Sequence, residues 1–414
     1  DVAIAGGMAI NGSVTATSKD SNATAIRFGA GATTPELRNA GTISATGGGS
    51  ETTGAVAVVI DAGANLPYVR NSGEIKAVAL KDAGSATAIL DRSGTLQLVE
   101  NSGKISASGA EAGSGRNIAI DLSSVSAGAT VRQTVVGSGV AAPSIKGDIL
   151  FGSGADRLEL LDGTAAGDVS FGAGVDRFVL SGDAGFSGKA SFGGQADELD
   201  LSGTSSFAGT ADFAGGAGNL SLSDNALFKG RLLGSENVAV ALDGGTLDLG
   251  APTTISSLAV GSTGVVVATL SKDPAAGSAI TVTGQASFAE GAKLKLRLTD
   301  IAQAEGTYNV LDAGTLTGAD DLESDKTLVP FMYNALLAVD QAAGLVNVDI
   351  ERKATSELGL NRAQAGAYDA LYTALAEDDD VAGVFLDITG ADAFRAVVAQ
   401  TLPDHAGGAF DGLS

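Results

Sequence analysis

The sequence predicts an all-β fold: a right-handed parallel β-helix solenoid with a C-terminal β cap and a short α-helical tail. Asn-x-Gly triplets recur in the first third of the chain, starting at Asn39, Asn71 and Asn101. Phenylalanines then recur at intervals of 20 to 21, at Phe151, Phe171, Phe192 and Phe213. Near the C-terminus, apolar residues adopt the four-residue spacing of helices. Fixed periods built from short strands and glycine turns are typical of solenoids, whose coils stack on one another.

The first predicted segment, residues 1–145, has coils of ~30 residues. Each triplet is followed by a short strand, and these strands contain Ile43, Ile75 and Ile105. A second strand in each coil contains pairs such as Val58 and Ile60, whose alternation sends both side chains inward. A third strand contains pairs such as Leu66/Tyr68 and Leu96/Leu98. Three strands and three turns describe one coil of a parallel β-helix, with neighbouring coils ~4.8 Å apart.

The second predicted segment, residues 146–250, has coils of ~21 residues. Its repeated apolar positions predict interior stacks, because aligned side chains in neighbouring coils bury each other. An exposed sugar-stacking stripe is the alternative for the first phenylalanine series. The aligned series are Phe151/Phe171/Phe192/Phe213, Leu158/Phe178/Leu199/Leu220, Leu160/Leu180/Leu201/Leu222 and Phe186/Phe207/Phe228.

The third predicted segment, residues 251–353, keeps strand character but loses the strict period. Terminal repeats of solenoids are irregular because they cover open strand edges, so this segment is predicted to be the C-terminal cap. Its predicted strands are Gly264–Leu270, Ser278–Thr283, Lys293–Leu298, Gly306–Leu311 and Leu345–Ile350.

The fourth predicted segment, residues 354–414, is helical. Asn361 and Gln364 are placed as a capping pair before apolar residues spaced by four. A second helix is predicted over Thr389–Leu402, ended by Pro403, and the acidic run Glu377–Asp380 is interpreted as a solvated turn.

The composition limits the classes of partner. The chain has 414 residues and a net charge of −23, with 48 acidic and 25 basic residues. No basic stripe could displace phosphate counterions, so nucleic acid is not expected as a partner. The absence of cysteine fits the cytosol, and equally a chain that crosses an oxidising periplasm unfolded. No run approaches the ~20 apolar residues of a membrane helix.

A glycine-aspartate pattern raises the question of a metal. Gly152-x-Gly154-x-Asp156 is echoed by Gly172-x-Gly174-x-Asp176, and Asp197 continues the series. The pattern resembles the nonapeptide of calcium-binding β-rolls, but here it recurs once per coil instead of every nine positions. Two interpretations stay open: a Ca²⁺ ladder of Asp156, Asp176 and Asp197, or turn aspartates that accept loop N–H groups.

The sequence does not favour an enzyme. The only imidazole is His405, and neither a Gly-x-Ser-x-Gly elbow nor a cysteine is present, so a catalytic triad or a zinc site is not expected. Paired carboxylates for glycan cleavage are the alternative. Asp61, Asp91 and Asp121 are evenly spaced at the interval of the longer coils. They are therefore expected at one position of successive coils, as structural turn acids.

Several segments resemble the passenger domains of bacterial autotransporters. The Asn-x-Gly-x-Ile repeats are similar to the passenger solenoid. The segments similar to the end of such passengers are Gly306–Leu311, Asn347–Lys353, Leu358–Asn361, Ala393–Arg395 and Leu402–Phe410.

The resemblance implies a type V secretion protein of a Gram-negative bacterium, extracellular or displayed at the cell surface and associated with the outer membrane. It implies that the cap is autochaperone-like, and that the helices form a linker toward the chain's own outer-membrane β-barrel, the partner during export. That β-barrel is missing from this sequence and is expected soon after Ser414. Whether the passenger is cleaved and released stays open.

Three functions are compatible with these observations. The first is a non-enzymatic passenger acting as an adhesive or self-assembling structural rod, which binds copies of itself, neighbouring or host cells, or glycans. The second is a polysaccharide-processing β-helix enzyme using Asp residues in a groove. The third is an antigenic shield without a specific ligand. No cofactor is expected, apart from the Ca²⁺ alternative.

Overall fold

The computed structural model describes residues 2–48, 53–270, 277–301, 304–322 and 329–401. The chain divides into two compact units. Unit 1 comprises Asp1–Asp248 with Ile255–Leu258, and unit 2 comprises Leu249–Thr254 with Ala259–Ser414.

Unit 1 consists of short strands. Those of the longer coils are β1 (Val2–Ala3), β2 (Met8–Ile10), β3 (Ser13–Thr17), β4 (Ala23–Phe28), β5 (Ala32–Thr33), β6 (Glu36–Asn39), β7 (Thr42–Gly47), β8 (Gly54–Ile60), β9 (Tyr68–Asn71), β10 (Glu74–Ala79), β11 (Ser85–Asp91), β12 (Leu98–Asn101), β13 (Lys104–Ser108), β14 (Asn117–Asp121) and β15 (Thr130–Gln133). Those that follow are β16 (Ser144–Lys146), β17 (Asp148–Leu150), β18 (Arg157–Leu160), β19 (Thr164–Ala166), β20 (Val169–Ser170), β21 (Arg177–Leu180), β22 (Gly185–Ser191), β23 (Asp197–Leu201), β24 (Ser206–Asp212) and β25 (Gly218–Leu233).

These strands form three parallel sheets that run along unit 1. Sheet 1 contains β3, β7, β10, β13, β16 and β19. Sheet 2 contains β4, β8, β11, β14, β17 and β20. Sheet 3 contains β2, β6, β9, β12, β15, β18, β21 and β23. Strands β22, β24 and β25 continue these sheets. The predicted parallel β-solenoid is therefore confirmed.

In sheet 3, the spacing of paired residues is longer near the start of unit 1 than farther along it. Val69 pairs with Val99, and their separation in sequence equals the longer predicted interval. Leu158 pairs with Phe178, and Phe178 pairs with Leu199, at separations that match the shorter predicted interval. Because strand residues alternate between the two faces, a whole-coil offset returns each apolar residue to the interior.

The predicted phenylalanine series are buried stacks and not exposed stripes. The rings of Phe151 and Phe171 are 5.2 Å apart, and those of Phe171 and Phe192 are 4.8 Å apart, with nearly parallel planes. Phe213 continues this series at 4.8 Å, and all four side chains are buried. Stacked rings add to the energy of apolar burial and keep neighbouring coils in register.

A buried amide ladder explains the Asn-x-Gly triplets. The Nδ2 of Asn39 donates to the Oδ1 of Asn71, and the Nδ2 of Asn71 donates to the Oδ1 of Asn101, each at 2.8 Å. The Nδ2 of Asn101 donates to the Oε1 of Gln133 at 3.3 Å. All four side chains are buried, so each hydrogen bond satisfies groups that water cannot reach.

One corner of the shorter coils requires glycine. Gly167 and Gly188 have φ values of 138° and 148°, which side-chain-bearing residues rarely adopt. A Cβ atom on Gly188 would lie 2.1 Å from the carbonyl oxygen of Gly167, and one on Gly209 would lie 1.9 Å from that of Gly188. Successive coils approach too closely here for any other residue.

Three strands contain or adjoin residues of both units: β26 (Val238–Leu249), β27 (Thr253–Ile255) and β28 (Ser257–Val260). The strands of unit 2 are β29 (Val265–Thr269), β30 (Ile280–Phe288), β31 (Lys293–Arg297), β32 (Gly306–Thr317), β33 (Tyr333–Asp340) and β34 (Leu345–Arg352). A short 3₁₀ turn spans Ala319–Asp321. The five strands predicted from sequence overlap β29, β30, β31, β32 and β34, whereas β33 was not predicted.

Unit 2 mixes strand directions. Strand β29 pairs in parallel with β31, and β30 pairs in parallel with β32. Strand β34 then runs antiparallel to both β32 and β33. The change from the parallel pairing of unit 1 accounts for the loss of the strict repeat in this part of the sequence.

The C-terminal segment of unit 2 contains α1 (Arg362–Leu375), α2 (Asp379–Leu386) and α3 (Ala391–Thr401). The capping pair is confirmed: the Asn361 side chain accepts from the Gln364 N–H, and the Gln364 side chain accepts from the Asn361 N–H. Helix α2 was not predicted, because the acidic run assigned to a turn contains its start. The Asp378 carboxylate accepts the N–H of Val381 at 3.1 Å as its N-cap. None of the described helices combines the length and apolarity needed to span a membrane.

A tyrosine cluster joins α1 to the strands of unit 2. The hydroxyl groups of Tyr333 and Tyr372 are 3.0 Å apart, and Tyr372 donates to the carbonyl oxygen of Ile301 at 3.1 Å. The Arg352 guanidinium lies 4.4 Å from the centre of the Tyr372 ring, in a cation–π contact. Tyr368 is fully buried beside them. Helix α1 is therefore fixed to the sheet by both apolar and polar contacts.

Candidate functional site

An open cleft of about 710 Å³ lies in unit 1, where the coils become shorter. One wall is the loop between β13 and β14, and the floor is formed by the ends of β16, β17 and β19. The polar side chains that line it are Ser108, Ser114, Asn117, Lys146, Asp148 and Asp168. Its volume falls in the range of small-molecule sites.

The cleft exists because neighbouring coils differ in length. Ile105 pairs with Ile145, whereas Ile145 pairs with Ala165, so the first of these coils is twice as long as the second. In the preceding coil the corner between sheet 1 and sheet 2 is the loop 109–116, but in the next coil Gly147 alone separates β16 from β17. The loop therefore projects beside a corner that has no counterpart to cover it.

At this corner, two aspartates from neighbouring coils each accept a backbone N–H group of the coil that follows their own. The Oδ1 of Asp148 accepts the N–H of Asp168 at 2.9 Å, and the Oδ1 of Asp168 accepts the N–H of Lys189 at 2.8 Å. Among the ion pairs of the described residues, none includes Asp148 or Asp168. Each carboxylate keeps its second oxygen available to a ligand.

The two carboxylates differ in environment. Asp148 is half-buried and Asp168 is exposed. Burial raises the pKa of Asp148, and the negative charge of Asp168 raises it further. Carboxyl groups in such a cleft can act as hydrogen-bond acceptors toward sugar hydroxyls, or as acid and base. The lysine Lys146 adds a donor at the same edge.

A second, smaller hollow of about 390 Å³ lies on sheet 3. It is lined by Arg38, Arg70 and Glu100, together with small residues of the Asn-x-Gly corners. Arg70 lies between Glu36, at 3.5 Å, and Glu100, at 3.1 Å. Since these charges already pair with each other, this hollow offers little net charge to a ligand.

The predicted metal residues are buried inside unit 1 and hydrogen-bond to the backbone. The Oδ1 of Asp156 accepts the N–H of Ala129 at 2.7 Å. The Oδ1 atoms of Asp176 and Asp197 accept the N–H groups of Asp156 and Asp176, each at 2.8 Å. The predicted role of turn acids that accept loop N–H groups describes this geometry.

The second carboxylate oxygens of this buried row have no hydrogen-bond partner. Burial raises the pKa of Asp156 and of Asp197 to about 6, and it also raises the pKa of Asp176. The side chains are at most 2% exposed. Buried carboxyl groups without a compensating positive charge favour the protonated form.

The buried row offers fewer free oxygen atoms than calcium usually coordinates. Calcium prefers about six to eight oxygen ligands, and here each coil contributes one unpaired oxygen. Within the described ranges, no group of three or more His, Cys, Asp or Glu residues could hold a metal ion. Calcium binding by Asp156, Asp176 and Asp197 stays a prediction, and it carries no step of the function proposed below.

The predicted ladder of Asp61, Asp91 and Asp121 is wrong. Asp91 pairs with Ile60, and Leu90 pairs with Asp121, so the coils of sheet 2 are one residue longer than the spacing of these aspartates. Consequently, Asp91 is buried and accepts from Ser93 and Leu96, while Asp61 forms ion pairs with Arg27 and Arg92. A one-residue offset moves a side chain to the opposite face.

Sequence reasoning missed Asp148 and Asp168. The signal was a Gly-Asp dipeptide repeated one short coil later, as Gly147-Asp148 and Gly167-Asp168. His405 and the rest of segment 402–414 lie outside the described residues.

The chain matches no protein-family model, no curated protein and no solved structure. The class of protein is therefore defined by its fold alone, a parallel β-solenoid joined to a mixed β-sheet that carries three described helices.

Proposed function

We propose that this chain is a non-enzymatic passenger of the autotransporter kind, secreted or displayed at the surface of a Gram-negative bacterium, and that it acts as an adhesive or self-assembling structural rod. The observation that carries the proposal is the strand-by-strand register of unit 1. Such stacking makes a stiff scaffold that repeats its outward side chains at ~4.8 Å intervals. The buried carboxylates of this scaffold bind backbone N–H groups and do not converge on a reacting centre.

The finer features of the fold belong to the same proposal. Right-handed winding is supported by the general handedness of connections between parallel strands. Unit 2 serves as the autochaperone-like cap, which the switch to antiparallel pairing in β32, β34 and β33 supports. The helices α1 to α3 serve as the linker toward the chain's own outer-membrane β-barrel, its partner during export.

The cleft provides the adhesive site. Its carboxylates, hydroxyls and Lys146 offer acceptors and a donor to a hydroxyl-rich polymer, and its walls of small residues admit a flat sugar ring. A net charge of −23 disfavours anionic polymers, so the ligand proposed is a neutral glycan.

Binding of labelled protein to neutral polysaccharides and to intact cells tests this proposal. The variant Asp168→Asn keeps an oxygen for the Lys189 N–H but removes the charge at the cleft. It is expected to bind about tenfold more weakly, because a charged hydrogen bond to ligand is lost. The matched control is Asp183→Asn, an exposed aspartate outside the cleft. Absence of binding to any cell or glycan, or equal loss in both variants, would contradict the proposal.

The cellular location has its own test. Protease added to intact cells of the source bacterium is expected to degrade the chain while cytoplasmic proteins survive. Solution scattering and electron microscopy of the purified chain then distinguish a single rod from a fibre or sheet. A chain protected from protease until the cells are lysed would contradict surface display.

The second candidate function is a polysaccharide-processing enzyme. It is favoured by one observation: Asp148 and Asp168 lie on neighbouring coils within a cleft, and burial raises the pKa of Asp148. An enzyme would release new reducing ends from a bound polysaccharide, and Asp148→Asn would abolish that release while leaving binding measurable. Bound polysaccharide that is recovered intact would exclude this candidate.

A further inference from the structure

Strand β33 is paired on one side only among the residues that the structure describes. All eight of its residues are in antiparallel register with β34, from Tyr333 opposite Arg352 to Asp340 opposite Leu345. No other described strand pairs with it. Its other edge therefore presents a row of backbone N–H and C=O groups, which is a template for a further strand.

The strand lacks the features that normally protect an edge. Its sequence from Tyr333 to Asp340 contains no proline, lysine or glycine, and its pairing with β34 shows no bulge. Leu336, at 72% exposure, is the most exposed large apolar side chain described. Natural edge strands usually carry charges, prolines or bulges that prevent pairing between molecules.

We propose that β33 pairs antiparallel with β33 of a second copy of this chain, so that the two sheets of unit 2 become one continuous sheet. This inference rests on the proposed function, since it identifies the contact through which the scaffold self-associates. Such a pair of strands is related by a two-fold axis perpendicular to the sheet, and residues opposite each other then lie on the same face. In the register that we propose, the axis passes next to Leu337, so Leu337 lies opposite Leu337 of the second copy.

This register is self-complementary. It places Ala335 opposite Val339 and Leu336 opposite Ala338, so apolar residues meet apolar residues on both faces. Asn334 lies opposite Asp340 at both ends, so an amide meets a carboxylate and no two acids face each other. The Nδ2 of Asn334 donates one hydrogen to Glu357, and the Oδ1 of Asp340 accepts the N–H of Ala343. The second Nδ2 hydrogen of Asn334 and the Oδ2 of Asp340 are left to form a hydrogen bond between the two copies.

The strength of the contact is limited by its size and by charge. One pair of eight-residue strands is small for an interface, so association is expected to be weak, with a dissociation constant of about 10–100 µM. Each copy carries a net charge of −23. Added salt screens this repulsion, and dimerisation is therefore expected to strengthen as salt rises.

The absence of cysteine from the chain gives a direct test. Leu337→Cys is expected to form a disulfide-linked dimer under mild oxidation, because opposed residues of antiparallel strands lie about 4.5–5.5 Å apart between Cα atoms. The matched control is Val384→Cys, an exposed apolar position on α2. The first variant is expected to cross-link at least about tenfold faster than the second. Equal rates, or no cross-link at Leu337→Cys, would overturn the inference.

A measurement without cysteines completes the test. The unmodified chain is expected to double its mass in sedimentation equilibrium as its concentration rises toward about 500 µM. Leu336→Asp is expected to stay monomeric at that concentration, whereas Val384→Asp, with the same change of charge, still dimerises. A chain that is monomeric throughout would overturn the inference. If such a chain still binds glycans or cells, only the inferred contact fails, and the proposed adhesive function stands.

Discussion

The buried row of Asp156, Asp176 and Asp197 predicts that the chain loses stability as pH rises. Each folded-state carboxyl group holds its proton more tightly than in the unfolded chain, because burial raises its pKa. Between the unfolded and folded pKa values the native state therefore binds more protons than the unfolded state. The native state is consequently destabilised as pH rises through this window, and no further loss from these groups occurs above it.

The magnitude follows from the size of the shift. For Asp156 the pKa rises from 3.8 to about 6. At about 1.36 kcal/mol per pH unit, ionisation of this buried group lowers the free energy of unfolding by about 3 kcal/mol at pH 7. At pH 4 most of this penalty is absent, so the loss between pH 4 and pH 7 is about 2 to 3 kcal/mol.

The perturbation is Asp156→Asn, which keeps an oxygen for the Ala129 N–H but cannot ionise. The unpaired amide N–H₂ costs about 1–3 kcal/mol at any pH. The variant is therefore expected to be less stable than the native chain at pH 4 and about equally stable, or more stable, at pH 7. The difference between the two pH values isolates the carboxyl group from the cost of the amide.

Chemical unfolding followed by circular dichroism at pH 4 and pH 7 measures this difference. The control is Asp183→Asn, an exposed residue whose replacement is expected to change stability by less than about 0.5 kcal/mol at either pH. If the effect of Asp156→Asn is the same at both pH values, the buried row is not the source of the pH dependence, and the argument fails.

Three further substitutions test the ladders by chemical unfolding of the same chain. Phe207→Ala removes a fully buried ring from its stack and is expected to cost about 3–5 kcal/mol; a loss below about 1 kcal/mol would mean that the stack is not packed. Gly188→Ala places a Cβ 2.1 Å from a carbonyl oxygen at a φ of 148°, and is expected to cost about 2 kcal/mol or more. Gly194→Ala, whose Cβ would have no atom within 4 Å, is its control, and equal effects would contradict the close approach. Asn71→Ala breaks the amide ladder and leaves buried amide groups unpaired, which is expected to lower the free energy of unfolding by about 2–4 kcal/mol. An unchanged denaturant midpoint of unfolding would show that water replaces the amide.

Periodicity made the interior of unit 1 predictable. The rows through Phe171 and Leu199 were found because inward positions recur at a fixed interval whenever coils have equal length. The same argument failed for Asp61 and Asp91, where one extra residue in the coil shifts the register of sheet 2. A single extra residue in a coil is invisible to composition, yet it puts residues at the predicted interval one position out of register and therefore on opposite faces of the sheet.

The candidate cleft and the edge strand carried weaker signals. Asp148 belongs to the site only because the corner loop of the preceding coil projects past it, and sequence does not reveal the path of that loop. Strand β33 has apolar residues on both faces, including Leu336 and Leu337, so it lacks the alternation by which half-buried strands are recognised. Helix α2 starts within an acidic run, which suits a helix N-terminus as well as a turn.

The amide ladder has a consequence for how such a chain can change its length. Asn71 and Asn101 each donate one side-chain hydrogen bond to the following coil and accept one from the preceding coil, so an inserted coil with asparagine at the same position would continue the ladder without altering its neighbours. Duplication of a whole coil between Asn71 and Asn101 would therefore yield a longer molecule at once. Duplication of coil-length segments of the gene would therefore lengthen the solenoid without requiring a new fold.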